Sequence, residues 1–122
     1  MVELDRQGML LTLRYLPPYV ADDERAYLDA LVEIGRSEEP FALLAVFAGG
    51  GKLSQAGERE QALWFKTTRE SFSASCRAVA MVRPGATEKM LDTFRRLWPM
   101  PMTVTADERD ARHFLSRHMG EA

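Results

Sequence analysis

The longest unbroken apolar run in the chain is Phe41-Ala42-Leu43-Leu44-Ala45-Val46-Phe47. A strand that is apolar at every position is expected where both faces of a sheet are covered. Ala48-Gly49-Gly50-Gly51-Lys52-Leu53-Ser54 follows, a backbone-rich turn leading to the start of a helix. Upstream, Val2 to Leu4 predicts a short strand and Asp5-Arg6-Gln7-Gly8 a turn. From Met9 to Leu16 the pattern alternates, with Leu11, Leu13 and Tyr15 on one face and Thr12 and Arg14 on the other. That period predicts a half-buried antiparallel strand, so the chain opens with a hairpin. Pro17-Pro18 stops the strand, because proline cannot donate to a ladder.

Four stretches change to a helical period. In the first, Asp22 is placed as an N-cap, with Asp23 and Glu24 favourable to the helix dipole. Tyr27, Ala30, Leu31 and Ile34 then share a face, and Gly35 is placed as the terminating glycine. The second runs from Leu53 to about Ser73, with Ala62, Phe65 and Phe72 on one stripe, Leu63 beside it and Trp64 off it. Cys76-Arg77-Ala78-Val79-Ala80-Met81-Val82 predicts another buried strand. The third helix starts at Ala86 or Thr87, turns Met90, Leu91, Phe94, Leu97 and Trp98 inward, and stops at Pro99. Met102 to Thr105 predicts a short strand. Thr105 and Glu108 have capping-box spacing for a last helix that buries Ala111, Phe114, Leu115 and Met119 and ends at Gly120.

The order ββαβαβαβα predicts one α/β domain over residues 1–122. Its sheet is mixed, an N-terminal antiparallel hairpin joined to parallel strands, with about four helices covering it. A chain of 122 residues suits one domain that needs no covalent staple. The formal charge of −2, with both signs interspersed, leaves no footprint for nucleic acid or an anionic membrane surface. The single cysteine, Cys76, forms no internal disulfide and suits a reducing compartment. The first residues lack a basic stretch followed by an apolar one, and no apolar run has the length of a membrane span. A cytoplasmic protein is expected.

Candidate chemistry is sparse. Gly49-Gly50-Gly51-Lys52-Leu53-Ser54 looks like a phosphate cradle, but Val46 and Leu53 stand where a P-loop needs Gly and Ser or Thr. The dinucleotide fingerprint fails as well, because Ser54 replaces its last glycine. What remains is a helix start where Gly49, Gly50, Gly51, Lys52 and Ser54 could hold an anion or carboxylate. Cys76 sits in a buried strand and reads as a small hydrophobe. His113 and His118 are spaced too widely for a metal pair on one helical face. Glu58 and Glu60 point to different faces and do not form an acid–base pair. No cofactor, metal set or catalytic group is expected. Trp64, Trp98, Met100 and Met102 suit either core filling or an adaptable apolar surface, a dimer interface or a ligand crevice.

Three stretches carry a family likeness: Cys76-Arg77-Ala78-Val79-Ala80-Met81-Val82, Phe94-Arg95-Arg96-Leu97-Trp98, and Val104-Thr105-Ala106-Asp107-Glu108-Arg109-Asp110-Ala111-Arg112-His113-Phe114-Leu115. With the element order, they make the chain resemble the SpoIIAA-like branch of the STAS fold, the STAS/SEC14-like family. That resemblance implies a STAS-like domain and a non-enzymatic regulatory role, like the antagonists of anti-sigma factors, acting through protein–protein contact. Such relatives carry a phosphoacceptor at the start of the helix after the third strand. Ser54 holds that place here, with Leu53 where they carry Asp. The SEC14-like side of the resemblance implies an alternative, a carrier or sensor of a small apolar or anionic, lipid-like ligand. A crevice at the strand C-terminal ends would hold it. A homodimer is a further expectation.

Overall fold

The computed structural model describes residues 1–49 and 53–119. The elements are β1 (Val2–Gln7), β2 (Leu10–Tyr15), α1 (Asp23–Gly35), β3 (Phe41–Phe47), α2 (Gln55–Ser75), β4 (Cys76–Val82), α3 (Glu88–Arg95), β5 (Met102–Thr105) and α4 (Glu108–Ser116). They form the expected mixed α/β arrangement: a five-stranded sheet in the order β1-β2-β3-β4-β5, with β1 antiparallel to β2 and the other neighbours parallel. No helix among the described residues is long and apolar enough to cross a membrane.

β1 extends beyond Leu4 to Gln7, and the hairpin turns through Gly8 and Met9 alone. Gly8 has φ 60° and Met9 does not go positive, so glycine fills the first loop position, as a II′ hairpin turn demands. β2 ends at Tyr15, before the two prolines. β3 is buried from Phe41 to Val46, as its composition requires. A register shift between Phe41 and Ala42 leaves Arg77 of β4 with no opposite residue. The extra residue changes which face the strand presents. Cys76 therefore joins one core and Ala78, two residues on, joins the other.

The strand order never reverses, so right-handed crossovers carry α1, α2 and α3 to one face. That face is the larger core, built from Leu11, Leu13, Phe41, Leu43, Val79 and Met81 against the three helices. Among the described helices α4 alone covers the other face, where Ala42, Ala78 and Ala80 let it sit close and Ala111 and Leu115 fill the gap. A crevice at the strand ends of an open sheet forms where the order reverses and helices part to opposite faces. This sheet has no such point, so the crevice expected there has no topological basis.

Several expected ends differ. Asp22 is the residue before α1, but its side chain makes no capping bond. Asp23 is the buried acid instead, accepting from Val20 N–H at 2.8 Å and from the Met1 amine at 2.8 Å. Gly35 lies inside α1 with negative φ, and its role is contact: a Cβ there would meet Trp64 Nε1 at 2.9 Å. In α2, Ala62 and Leu63 are exposed and the buried line is Gly57, Trp64 and Phe72. Gly57, Gln61, Trp64 and Thr68 recur at helical spacing, but Trp64 is their one large apolar member, so hydropathy hides the stripe. The cap of α4 is Asp107, which accepts from Arg109 N–H at 2.8 Å, and not Thr105. α4 ends at Ser116; Gly120, expected to end it, lies outside the described residues.

Candidate functional site

The site begins where β3 ends. Gly49 has φ 88°, a conformation that favours glycine, and it passes beside Pro84. Gly50, Gly51 and Lys52 of the expected binding loop lie outside the described residues. Ser54 is the N-cap of α2, exposed, in extended backbone conformation, and its Oγ accepts from Gly57 N–H at 3.0 Å.

Glu24, from the first turn of α1, reaches this same point. Its Oε1 accepts from Ser54 N–H and its Oε2 accepts from Ser54 Oγ at 2.8 Å. A Cβ on Gly57 would fall 2.7 Å from the Glu24 carboxyl. Gly57 is thus the cavity that admits the carboxylate to the first turn of α2. Free N–H groups and the helix dipole attract an anion there, and the chain supplies one of its own. The serine hydroxyl is spent at both ends, donating to Glu24 and accepting from Gly57.

The α1–α2 seam below is held by further pairs. Arg25 binds Glu60 at 3.1 and 2.5 Å and Asp29 at 3.0 Å. The Glu60 carboxyl lies below its ordinary pKa because Arg25 hydrogen-bonds it, and the Arg25 guanidinium lies above its own, chiefly through Glu60. Tyr27 Oη donates to Gln61 at 2.5 Å, and burial raises the tyrosine pKa. Ser54 therefore stands on a seam fixed along its length.

Trp64 and Trp98 are buried, so of the two roles open to them, core filling or an exposed apolar surface, they take the first. Trp98 stacks on Phe72 at 4.4 Å and meets Phe65 and Trp64 edge-on at 5.1 and 6.2 Å. Neither indole N–H has a hydrogen-bond partner among the described residues. Met100 and Met102 are also buried in this core. A concavity of about 430 Å³ opens beside them, lined by Arg95, Trp98, Met100, Pro101, Met102 and Phe114. Trp64 lies away from it. Cys76 is buried, and burial pushes its thiol up to about 12. Its Sγ donates to Ala78 O at 3.3 Å. His113 is exposed and His118 packs on Phe114, and the two are not brought together at a site. Among the described residues no three His, Cys, Asp or Glu side chains gather as metal ligands would.

One cluster had no sequence signal. Arg14 on β2 makes a two-point bond to Glu108 of α4, at 2.9 and 3.1 Å, and Arg112 adds a third contact at 2.9 Å. The Arg14 hydrogen bonds, and then Arg112, lower the Glu108 carboxyl to about 2. The capping-box spacing had assigned Glu108 to its own backbone. Its actual partner is far off in sequence, where spacing cannot reveal it.

No known protein family, curated protein or solved structure matches the chain.

Proposed function

We propose that the domain is a non-enzymatic regulatory module that binds another protein through the surface around Ser54, Glu24 and the first turn of α2. One observation carries this reading: an exposed serine caps α2 while a carboxylate from a second helix closes over its hydroxyl. A group poised this way couples the chemical state of one side chain to the α1–α2 seam. Phosphate on Ser54 would place more negative charge beside Glu24, expel it, and change the surface a partner meets. The resemblance to SpoIIAA-like STAS domains supports the same reading. A cytoplasmic location and a homodimer belong to it.

The test is site-specific crosslinking in cells. A photoreactive residue at the exposed Gln55 should trap one discrete protein, and the same residue at the exposed Arg109 on α4 should not. No adduct at Gln55, or equal adducts at both, overturns the reading. Peptide mass spectrometry of the cellular protein tests the phosphoacceptor role, and light scattering tests the homodimer.

A second reading rests on the concavity beside Trp98, Met100 and Met102, with Arg95 in its lining. Apolar walls and one cation suit a small apolar or anionic, lipid-like ligand. Native mass spectrometry of protein from its own cells tests it. A retained small molecule lost in Met102→Glu supports carriage, and a bare chain refutes it.

A further inference from the structure

The two edges of the sheet are not alike. β5 is four residues long and Pro99 and Pro101 precede it, which discourages strand addition. β1 is six residues long, contains no proline or bulge, and is exposed from Glu3 to Gln7. Met1 and Leu16 exchange both backbone hydrogen bonds, at 2.7 and 2.8 Å. Hydrogen-bonded pairs alternate along an antiparallel ladder, so Glu3, Asp5 and Gln7 bond inward to β2. The backbone N–H and C=O groups of Val2, Leu4 and Arg6 therefore point outward, and no described strand lies beyond them.

The side chains decide what could pair there. Glu3 and Asp5 share the α4 face of the sheet, and neither forms an ion pair among the described residues. Arg14, the cation beside them, is taken by Glu108 at 2.9 Å. Leu4 is 36% exposed on the opposite face. Concavities of about 440 and 340 Å³ flank the strand on its two sides; the first is lined by Glu3, Asp5 and Thr12 together with Arg14 and Arg112, both of which Glu108 engages, and the second by Leu4, Leu11 and Ile34 together with Arg6, Glu33 and Arg36.

A second copy of this chain fits the edge poorly. Antiparallel self-pairing about a two-fold axis centred on Leu4 sets Glu3 against Asp5 twice. Centred on Glu3, Asp5 or Arg6, it sets that residue against itself. Every one of these registers places like charges directly opposite, which destabilises a pair. The same carboxylates would attract a strand of opposite charge, and they lie at non-hydrogen-bonded positions of the new ladder, where side chains approach most closely.

We propose that the outer edge of β1 is a docking strand for an extended basic segment of another protein, added antiparallel, with Lys or Arg opposite Glu3 and Asp5 and apolar residues between them. The proposal stands apart from the Ser54 surface and does not depend on it.

A blocked peptide of about eight residues, alternating lysine and valine, spans a strand of this length and serves as the probe. A glutamate–valine peptide and a lysine–valine peptide N-methylated on alternate amides are the controls. Mixed with the full chain, the lysine peptide should slow amide hydrogen exchange at Val2, Leu4 and Arg6 above all other residues. It should bind about tenfold more tightly than the glutamate peptide, two cross-strand charge pairs being reversed. High salt should narrow that gap and N-methylation should abolish binding. The double variant Glu3→Lys/Asp5→Lys should reverse the preference; both positions are exposed. Protection elsewhere, equal binding of the two charged peptides, no binding of the lysine peptide, or a wild-type dimer with β1 already protected would each overturn the proposal.

Discussion

Replacing Ser54 by aspartate asks directly whether Glu24 and the cap are coupled. Alanine at this position removes the acceptor for Gly57 N–H and the donor to Glu24, a cap loss of about 1 kcal/mol. Aspartate keeps a good cap and suits the helix dipole, so a simple capping argument predicts no loss. The structure predicts otherwise, because the new carboxylate would lie against Glu24, whose Oε2 is now 2.8 Å from the hydroxyl. Two exposed unit charges about 4 Å apart repel by about 1 kcal/mol in water-like surroundings. Expelling Glu24 also forfeits its bond from Ser54 N–H, about 1 kcal/mol more. Ser54→Asp should therefore lose roughly 1–2 kcal/mol, less the dipole gain. For a chain of 122 residues, 1 kcal/mol moves the midpoint by about 4 °C. Urea denaturation of Ser54→Asp, Glu24→Gln and the double variant forms the cycle. The double variant should recover about 1 kcal/mol relative to the sum of the single changes. Additivity within about 0.3 kcal/mol would refute the coupling, and with it the idea that charge on Ser54 moves Glu24.

Three further outcomes are expected. Glu108 has a folded pKa of about 2, below its unfolded value, so its contribution is fully present above about pH 4.5 and is lost as pH falls toward 2. The shift alone would correspond to about 3 kcal/mol, and screening of a group one-third exposed reduces this to about 1; Glu108→Gln should lose that amount at neutral pH and flatten the acid limb of a stability–pH curve. Gly35→Ala should destabilise by about 1 kcal/mol despite the better helix propensity of alanine, since its Cβ meets the Trp64 ring; a stabilised variant in thermal unfolding would contradict the packing. Around pH 8, with its thiol pKa near 12, Cys76 has roughly one thiolate in ten thousand, so a thiol reagent should label it only after urea unfolding; prompt labelling of the native protein would show the strand opens.

The strands were legible because their signal is local. Phe41–Phe47 is apolar throughout and Cys76–Val82 is apolar but for Arg77, and the element bounds follow. The mixed sheet was legible from the order of elements alone. The buried side of α2 was not, because Gly57, Gln61 and Thr68 face inward for fit and hydrogen bonding, which hydropathy does not register. Nor was the change of face at Arg77, which depends on the register against β3. At the candidate site, the sequence marks Ser54 as a helix start, but it marks Glu24 only as a dipole-friendly acid on α1. That it crosses to α2 depends on how the two helices pack, and the missing side chain of Gly57 was the one local hint. Glu108 misled because a genuine local spacing competed with a stronger partner far away in sequence.

The unequal cover of the sheet bears on how the chain is made. α1, α2 and α3 emerge between the strands they cross, so their face closes as the sheet grows. The other face, with Leu44, Val46 and Val82 among its alanines, waits for α4, which follows all five strands. A nascent chain halted before Glu108 would carry a complete sheet with one apolar side open to water, the kind of surface that chaperones hold and aggregation exploits. Translation of the last helix is then the step that turns a sticky intermediate into a folded domain.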